Sequence, residues 1–213
     1  MCASSSDTPK CWSCPVRLSG TKSLFCKECG VLQPPVKQDH FALFNMAPTF
    51  DIDTNKLELA FHALQNKLHP DRFCSRSQKE QTFSLAHAAH INSSYTTLRD
   101  PLARARYLIS LHKPELLSEE TTVTDTTILM EILELRERVA DTDDSEELFQ
   151  IYQEVAVKKA QTIEKLSAAF KREDYNAAND AVNTLSYYYS LNKELLSRVP
   201  GEIFSKHNVC PTL

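Results

Sequence analysis

Pro70 constrains this chain more than any other residue, because it forces a break between two amphipathic stretches. Proline has no amide hydrogen and pushes its predecessor away from helical angles, so a helix arriving at it must end by His69. Upstream, Leu57, Phe61, Leu64 and Leu68 recur at helical spacing and form one apolar stripe. Asp53 or Thr54 can cap its start, since a short side-chain oxygen accepts from the free amides of a first turn. Downstream, Phe83, Ala86, His90 or Ile91, and Ser94 or Tyr95 restart a helical pattern. The expected local structure is two antiparallel helices joined by a polar loop that opens with His69-Pro70-Asp71.

The rest of the chain also reads as mainly α. It has only three glycines, Gly20, Gly30 and Gly201, too few for a phosphate-cradling loop. Pro101 suits the first turn of a helix over 102–111, with Ala105, Leu108 and Leu111 inward and His112-Lys113-Pro114 as its stop. Residues 113–124 read as a linker. Three longer amphipathic segments follow, over 126–140, 145–170 and 175–198. The second carries Leu148, Tyr152, Val155, Ile163, Leu166 and Phe170 on one stripe, the third Ala178, Val182, Leu185, Tyr189 and Leu196. Short loops between such helices predict an antiparallel three-helix bundle.

The first of these segments is too apolar for one buried face. Ile128, Ile132, Leu135 and Val139 make its core stripe, whereas Leu129, Met130 and Leu133 lie roughly 80° to 180° away at about 100° per residue. Tyr187 similarly falls opposite the Ala178–Leu185–Tyr189 stripe. Unclaimed apolar residues mark either a partner surface or a wider core, with Leu129 and Leu133 packing on the region around the His69-Pro70-Asp71 hairpin. The same region is acidic: Glu119 to Glu154 holds twelve acids against Arg136 and Arg138. Such a run is a solvated face or the complement of a basic partner.

Near the start, Cys11-Trp-Ser-Cys14 and Cys26-Lys-Glu-Cys29 form a C-x2-C-x11-C-x2-C pattern. Each pair can offer two sulfurs from a tight turn, and four thiolates suit one tetrahedral structural zinc. A segment this small buries no core, so the ion would supply its folding energy. A redox dithiol pair and an iron–sulfur cluster use the same four sulfurs. No signal peptide precedes the seven cysteines, so they read as thiols of a reducing compartment, with Cys2, Cys74 and Cys210 free.

A formal net charge of −4 gives no general case for nucleic acid. Lys10, Arg17, Lys22 and Lys27 are too few for a zinc-ribbon phosphate footprint. No run approaches the apolar length of a membrane span. Met1 to Lys10 has no arginine and no amphipathic period, unlike a mitochondrial presequence. Either the targeting segment is not part of this sequence or the protein works in the cytosol.

Two helices around His69-Pro70-Asp71, with a short helix His40–Phe44 before them and Tyr95…Leu98-Arg99-Asp100-Pro101 after, resemble a J domain over about 39–112. The tripeptide alone is also compatible with a plain helix stop and Asx-type turn. An acid–base role for His69 and Asp71 lacks a nucleophile and an oxyanion partner. The stretch Asp125-Thr-Thr-Ile-Leu-Met-Glu-Ile-Leu-Glu-Leu-Arg-Glu137, with Asp174-Tyr-Asn-Ala-Ala178, Val182 and Leu185, is similar to the HscB family of co-chaperones in iron–sulfur cluster assembly. The four-cysteine module is similar to that of its animal members.

The resemblance implies three parts: a zinc module at 8–35, a J domain at 39–112 and a three-helix bundle at 120–205. It implies a non-enzymatic protein that binds no nucleotide itself. His69, Pro70, Asp71, Lys67 and Arg72 would dock on a DnaK-type ATPase of the seventy-kilodalton heat-shock class and stimulate it. Leu129, Met130, Leu133, Glu134 and Tyr187 would bind the cluster scaffold protein, and cluster acceptors or a second copy of the chain are further partners. The resemblance implies the mitochondrial matrix, with a cytosolic pool as the alternative. J domains usually carry a basic second helix; here only Lys56, Lys67 and Arg72 contribute, with neutral Gln65 and Asn66 between, which implies weaker or more selective docking. The rival functions are a general J-type adaptor with another client and a zinc- or thiol-dependent oxidoreductase using the four cysteines.

Overall fold

A computed structural model describes residues 10–18, 23–36, 38–117, 126–207 and 209; these are helical apart from two isolated β-bridges, turns and loops. Cys2, Cys210, Asp125 and much of the expected linker lie outside the described residues. No described helix is long and apolar enough to cross a membrane. The chain divides into two compact units, Met1–Pro48 with Ile52–Arg99, and Thr49–Asp51 with Asp100–Leu213.

The first unit contains α1 (His40–Leu43), α2 (Thr54–Leu68) and α3 (Gln78–Arg99), with a 3-10 turn, Pro70–Phe73, between the last two. Asp53 is the cap of α2: its Oδ1 accepts from the amides of Asn55 and Lys56, each at 3.1 Å. The helix ends at Leu68, as Pro70 requires. α3 starts well before the expected Phe83. Ser77 and Glu80 form a reciprocal capping box, the Ser77 amide donating to Glu80 Oε2 and the Glu80 amide to Ser77 Oγ, both at 3.4 Å.

The buried face of α3 follows the expected stripe at Ile91 and Ser94 but runs one residue on from it in the first half of the helix. Ser84, His87, Ile91, Ser94 and Leu98 are buried, whereas Ala86 is exposed. Hydropathy passes over Ser84, and each buried serine has its hydroxyl satisfied: Ser84 Oγ donates to the Leu68 carbonyl at 2.8 Å, and Ser94 Oγ pairs with His40 Nδ1 at 2.7 Å. Phe61 of α2 stacks on Tyr95 of α3, ring centroids 4.1 Å apart, closing the hairpin.

Burial holds His40 below the usual imidazole range; His90 lowers it further and Asp39 opposes. Burial also lowers His87, against its bond to the Gln33 carbonyl. The unfolded chain therefore takes up protons near pH 6.5 while the folded unit resists them. Stability from these rings is complete above pH 6.5 and is lost as pH falls through the depressed folded values. The melting temperature of the zinc-loaded protein is expected to fall between pH 7 and pH 5, and to fall less in His40→Asn.

The second unit contains α4 (Pro101–His112), α5 (Thr126–Asp141), α6 (Ser145–Lys171), α7 (Tyr175–Arg198) and α8 (Gly201–Lys206), with a 3-10 turn at Pro114–Leu117. Asp100 caps α4 by accepting from the Ala103 amide at 2.7 Å, and its other oxygen accepts from Tyr189 Oη at 2.8 Å. α4, which the expected boundary at 112 assigns to the hairpin region, thus packs on α7 within the second unit. Leu102, Ala105, Leu108 and Ile109 are its buried apolar residues; Leu111, expected inward, is 44% exposed. The inward arc is centred on Ala105 and Ile109, and Leu111 lies past its edge in the last turn.

α5, α6 and α7 run up, down and up. Glu131 of α5 meets Lys158 of α6 at 3.1 Å and accepts from Tyr188 Oη of α7 at 2.7 Å, and Arg138 pairs with Glu154 at 2.8 Å. The core gathers Ile132, Leu135 and Val139 from α5, Phe149, Tyr152 and Val155 from α6, and Tyr188, Leu191 and Leu195 from α7. On α7 the buried stripe therefore passes through Tyr188 and Leu195; Tyr189 and Leu196, expected inward, are half-buried. A helix of 24 residues turns its inward face slowly relative to its neighbours, so one fixed stripe does not follow it throughout. α8, unforeseen because six residues carry too little periodicity, buries Phe204 against the rings of Phe149 and Tyr152, at 5.6 and 5.1 Å.

α6 closes with a Schellman turn: the Glu173 amide donates to Phe170 O and the Asp174 amide to Ala169 O. Glu173 is held at φ +56°, a conformation that costs a residue with a Cβ roughly 1 kcal/mol. Glu173→Gly is expected to stabilise the protein by about 0.5–1 kcal/mol in denaturant titration.

Candidate functional site

Three groups of side chains stand out. The first is the four-cysteine centre. Each C-x-x-C pair sits in a small turn closed by matching backbone bonds, Cys11 N–H to Val16 O at 2.9 Å and Cys26 N–H to Val31 O at 3.0 Å. The second turn needs Gly30, whose φ of +69° favours glycine. The turns bring all four sulfurs within 4.8 Å of one another, with Cys11–Cys29 at 3.7 Å and Cys14–Cys26 at 3.6 Å. A tetrahedral zinc with bonds of about 2.3 Å sets its sulfurs roughly 3.8 Å apart, so the four residues fit one such ion.

The thiols diverge in acidity. Burial raises Cys11, but the Ser13 and Cys14 amides and the Gln33 side chain lower it to about 6. The Val16 amide favours the Cys14 thiolate, yet burial and the three other sulfurs push it up to about 12. Four thiolates this close repel one another, and a divalent cation is what lets all of them ionise.

The module is built onto α3. Leu32 N–H donates to Glu80 Oε1 at 3.3 Å, so the capping-box glutamate holds the module with its second oxygen. Burial disfavours the Glu80 charge, but donation from Ser77 and the Leu32 amide holds its carboxyl below the usual range. Trp12 donates to Leu32 O at 2.7 Å, meets the Phe83 ring edge-on at 6.0 Å and lies under Lys79. His87 Nε2 is 3.0 Å from Gln33 O; a carbonyl only accepts, so this nitrogen carries the proton. None of Trp12, Gln33, Glu80, Phe83 and His87 was expected at a site. The Ser77-x-x-Glu80 signature and the single tryptophan were the signals in the sequence.

The second group is the loop after α2. His69 Nδ1 accepts from the Asp71 amide at 3.3 Å and caps the 3-10 turn. Asp71 and Lys67 are exposed. Arg72 donates to the Asn66 carbonyl at 2.8 Å and Phe73 is buried beneath, so the loop shape is fixed while His69 and Asp71 face outward. Lys67, His69, Pro70, Asp71 and Arg72 thus share one short surface. Cys74, at its edge, is an exposed free thiol.

The third group is the outer face of α5. Leu129, Met130 and Leu133 are 41%, 66% and 58% exposed, and Glu134 lies among them, also exposed. None of the three is claimed by the core of the bundle itself. Tyr187 differs from expectation: it is half-buried, packs against the bundle core, and carries Arg136 over its ring at 5.9 Å. The drift of the α7 stripe moves it from opposite the core to its edge.

The human "Iron-sulfur cluster co-chaperone protein HscB" is 32% identical over 199 residues, spanning 92% of this chain and 85% of that protein. The chain belongs to the HscB family of iron–sulfur cluster co-chaperones. An HscB homologue from the bacterium Aeromonas salmonicida is 37% identical over 161 residues, 74% of this chain and 94% of its own length. The family model for the HSCB C-terminal oligomerisation domain matches residues 124–196, which hold α5, α6 and most of α7. The crystal structure of the human HscB co-chaperone superposes with a TM-score of 0.81 at 32% identity, covering 90% of this chain and all of that one. The outer face of α5 is thus part of the matched HscB segment, and a four-cysteine metal-binding group accompanies it in the same chain.

Proposed function

We propose that this protein stimulates ATP hydrolysis by a DnaK-type chaperone and delivers an iron–sulfur cluster scaffold protein to it. The observation that carries this is the pairing, in one HscB-family chain, of an outward-facing His69-Pro70-Asp71 loop with an exposed apolar face on α5. The loop would dock on the ATPase with Lys67 and Arg72 supplying charge. Leu129, Met130 and Leu133 would anchor the scaffold, with Glu134 on the rim and Tyr187 as a flank that already has its Arg136 neighbour. Holding both partners raises the scaffold's effective concentration at the chaperone. The cluster is cargo, and the chain itself performs no catalysis. Under this function the J domain spans about 39–112 and the scaffold-binding bundle about 120–205, and the working compartment is the mitochondrial matrix.

Cys11, Cys14, Cys26 and Cys29 would hold one structural zinc in a module over about 8–35. Sulfur separations near 3.7 Å support a single ion, because a cluster interposes several irons and sulfides and needs a wider cage. With all four positions taken by thiolates, no site is left open for a substrate. Single-turnover ATP hydrolysis by a DnaK-type chaperone, measured with and without the scaffold, tests the ATPase and delivery roles together. Stimulation indifferent to the scaffold would leave a general J-type adaptor.

A further inference from the structure

The four-cysteine module is joined to the hairpin by a line of hydrogen bonds that no packing argument requires. Gln33 is 2% exposed, and its Nε2 donates both to Cys11 Sγ at 3.3 Å and to Val31 O at 3.0 Å. Its backbone carbonyl accepts from His87 Nε2 at 3.0 Å, and its backbone amide donates to Leu24 O at 2.8 Å. Gln33 therefore touches a metal-ligand sulfur with one end and the buried face of α3 with the other. An N–H aimed at a thiolate stabilises its charge and fixes its direction, which is the work of a residue just outside a metal's ligands.

The same stretch of α3 reaches the end of α2. Ser84, three residues before His87, holds the Leu68 carbonyl at 2.8 Å, and Leu68 precedes His69. Glu80 holds Leu32 one turn earlier. Residues 80–87 thus carry the module on one flank and the last residue before the His69-Pro70-Asp71 loop on the other.

We propose that Gln33 is a positioning residue of the metal centre, through which metal binding at the four cysteines and the order of α3 beside the His69 loop become one coupled equilibrium. This rests on the metal reading above but not on the chaperone or scaffold. A module that folds only with its ion lends part of that binding free energy to whatever it is bonded to. Loss of the ion to a chelator then loosens residues 80–91 and the Leu68 anchor first, leaving α6 and α7 as they were.

Hydrogen exchange on the full chain tests this, with zinc loaded and after chelator treatment. In the wild type, zinc is expected to slow exchange of the α3 amides over 80–91 and to leave α6 and α7 unchanged. Gln33→Met keeps the apolar volume and removes the donor. It is expected to weaken zinc about 10- to 100-fold while retaining the four-thiolate absorption of the cobalt-substituted protein, and to lose most zinc-dependent protection of α3. His87→Leu cuts the far end of the line and is expected to lose that protection with the cobalt spectrum intact, which guards against a Gln33→Met that does not fold. Equal α3 protection in wild type and both variants, or a wild-type α3 indifferent to zinc, overturns the proposal. A wild type with no cobalt–thiolate absorption overturns the metal reading itself, a result separable from the exchange data.

Discussion

Replacing His69 with Gln is expected to return ATP hydrolysis by the DnaK-type chaperone to its basal rate while leaving the protein folded. The ring is outward and, among the described residues, its hydrogen bond is with the Asp71 amide, so the hairpin core does not depend on it. The loop keeps its shape through Arg72 on the Asn66 carbonyl and the buried Phe73. A glutamine carbonyl can take over the Asp71 amide, which limits the stability loss to about 1 kcal/mol or less. Full loss of stimulation with unchanged helicity would therefore come from the chaperone contact. If His69→Gln stimulates as well as the wild type, the tripeptide is only a helix stop, and the ATPase half of the proposed function fails.

The second large effect belongs to α5. Leu129→Ser together with Leu133→Ser is expected to weaken scaffold binding by about 2–4 kcal/mol, roughly 30- to 1,000-fold in Kd. Both leucines are partly exposed in the free chain, so burying them against a partner releases the water at their surfaces. Their removal should change the stability of the protein itself by only about 0.5 kcal/mol. Ile132 and Leu135, one position before and two after Leu133, make the contrast: they are buried, and truncating either would cost about 2–5 kcal/mol of folding instead. Titration calorimetry with the scaffold, beside thermal melting, separates the two. Scaffold affinity unaffected by the double change would mean that this face is not the docking surface. Basal chaperone stimulation by the same variant should remain, since His69 lies in the other unit.

Much of the fold was legible because helices advertise themselves periodically. The ends of α2, α6 and α7 could be read from Pro70, from polar caps such as Asp53, and from runs of apolar residues three and four apart. The four cysteines were legible from spacing alone, since two short C-x-x-C turns present sulfurs locally before any tertiary contact forms. The excess leucines of α5 were legible as a surplus over one face, and the structure leaves them exposed.

What failed in the sequence failed for one reason: burial depends on the neighbour as well as on the side chain. Ser84 is buried because the Leu68 carbonyl meets its hydroxyl, while Ala86 is left in water. α4 packs with α7 because Asp100 and Tyr189, 89 residues apart, find one another. Gln33 and His87 join the four-cysteine module only when α3 comes beneath it. The sequence by itself determined the helices, their stops, the four-cysteine set and the surplus apolar face, because each is written within a few turns of chain. Only the tertiary structure decided which polar residues are inside, where Tyr187 sits and how the four-cysteine module is anchored, because those follow from long-range contacts that satisfy buried donors and acceptors.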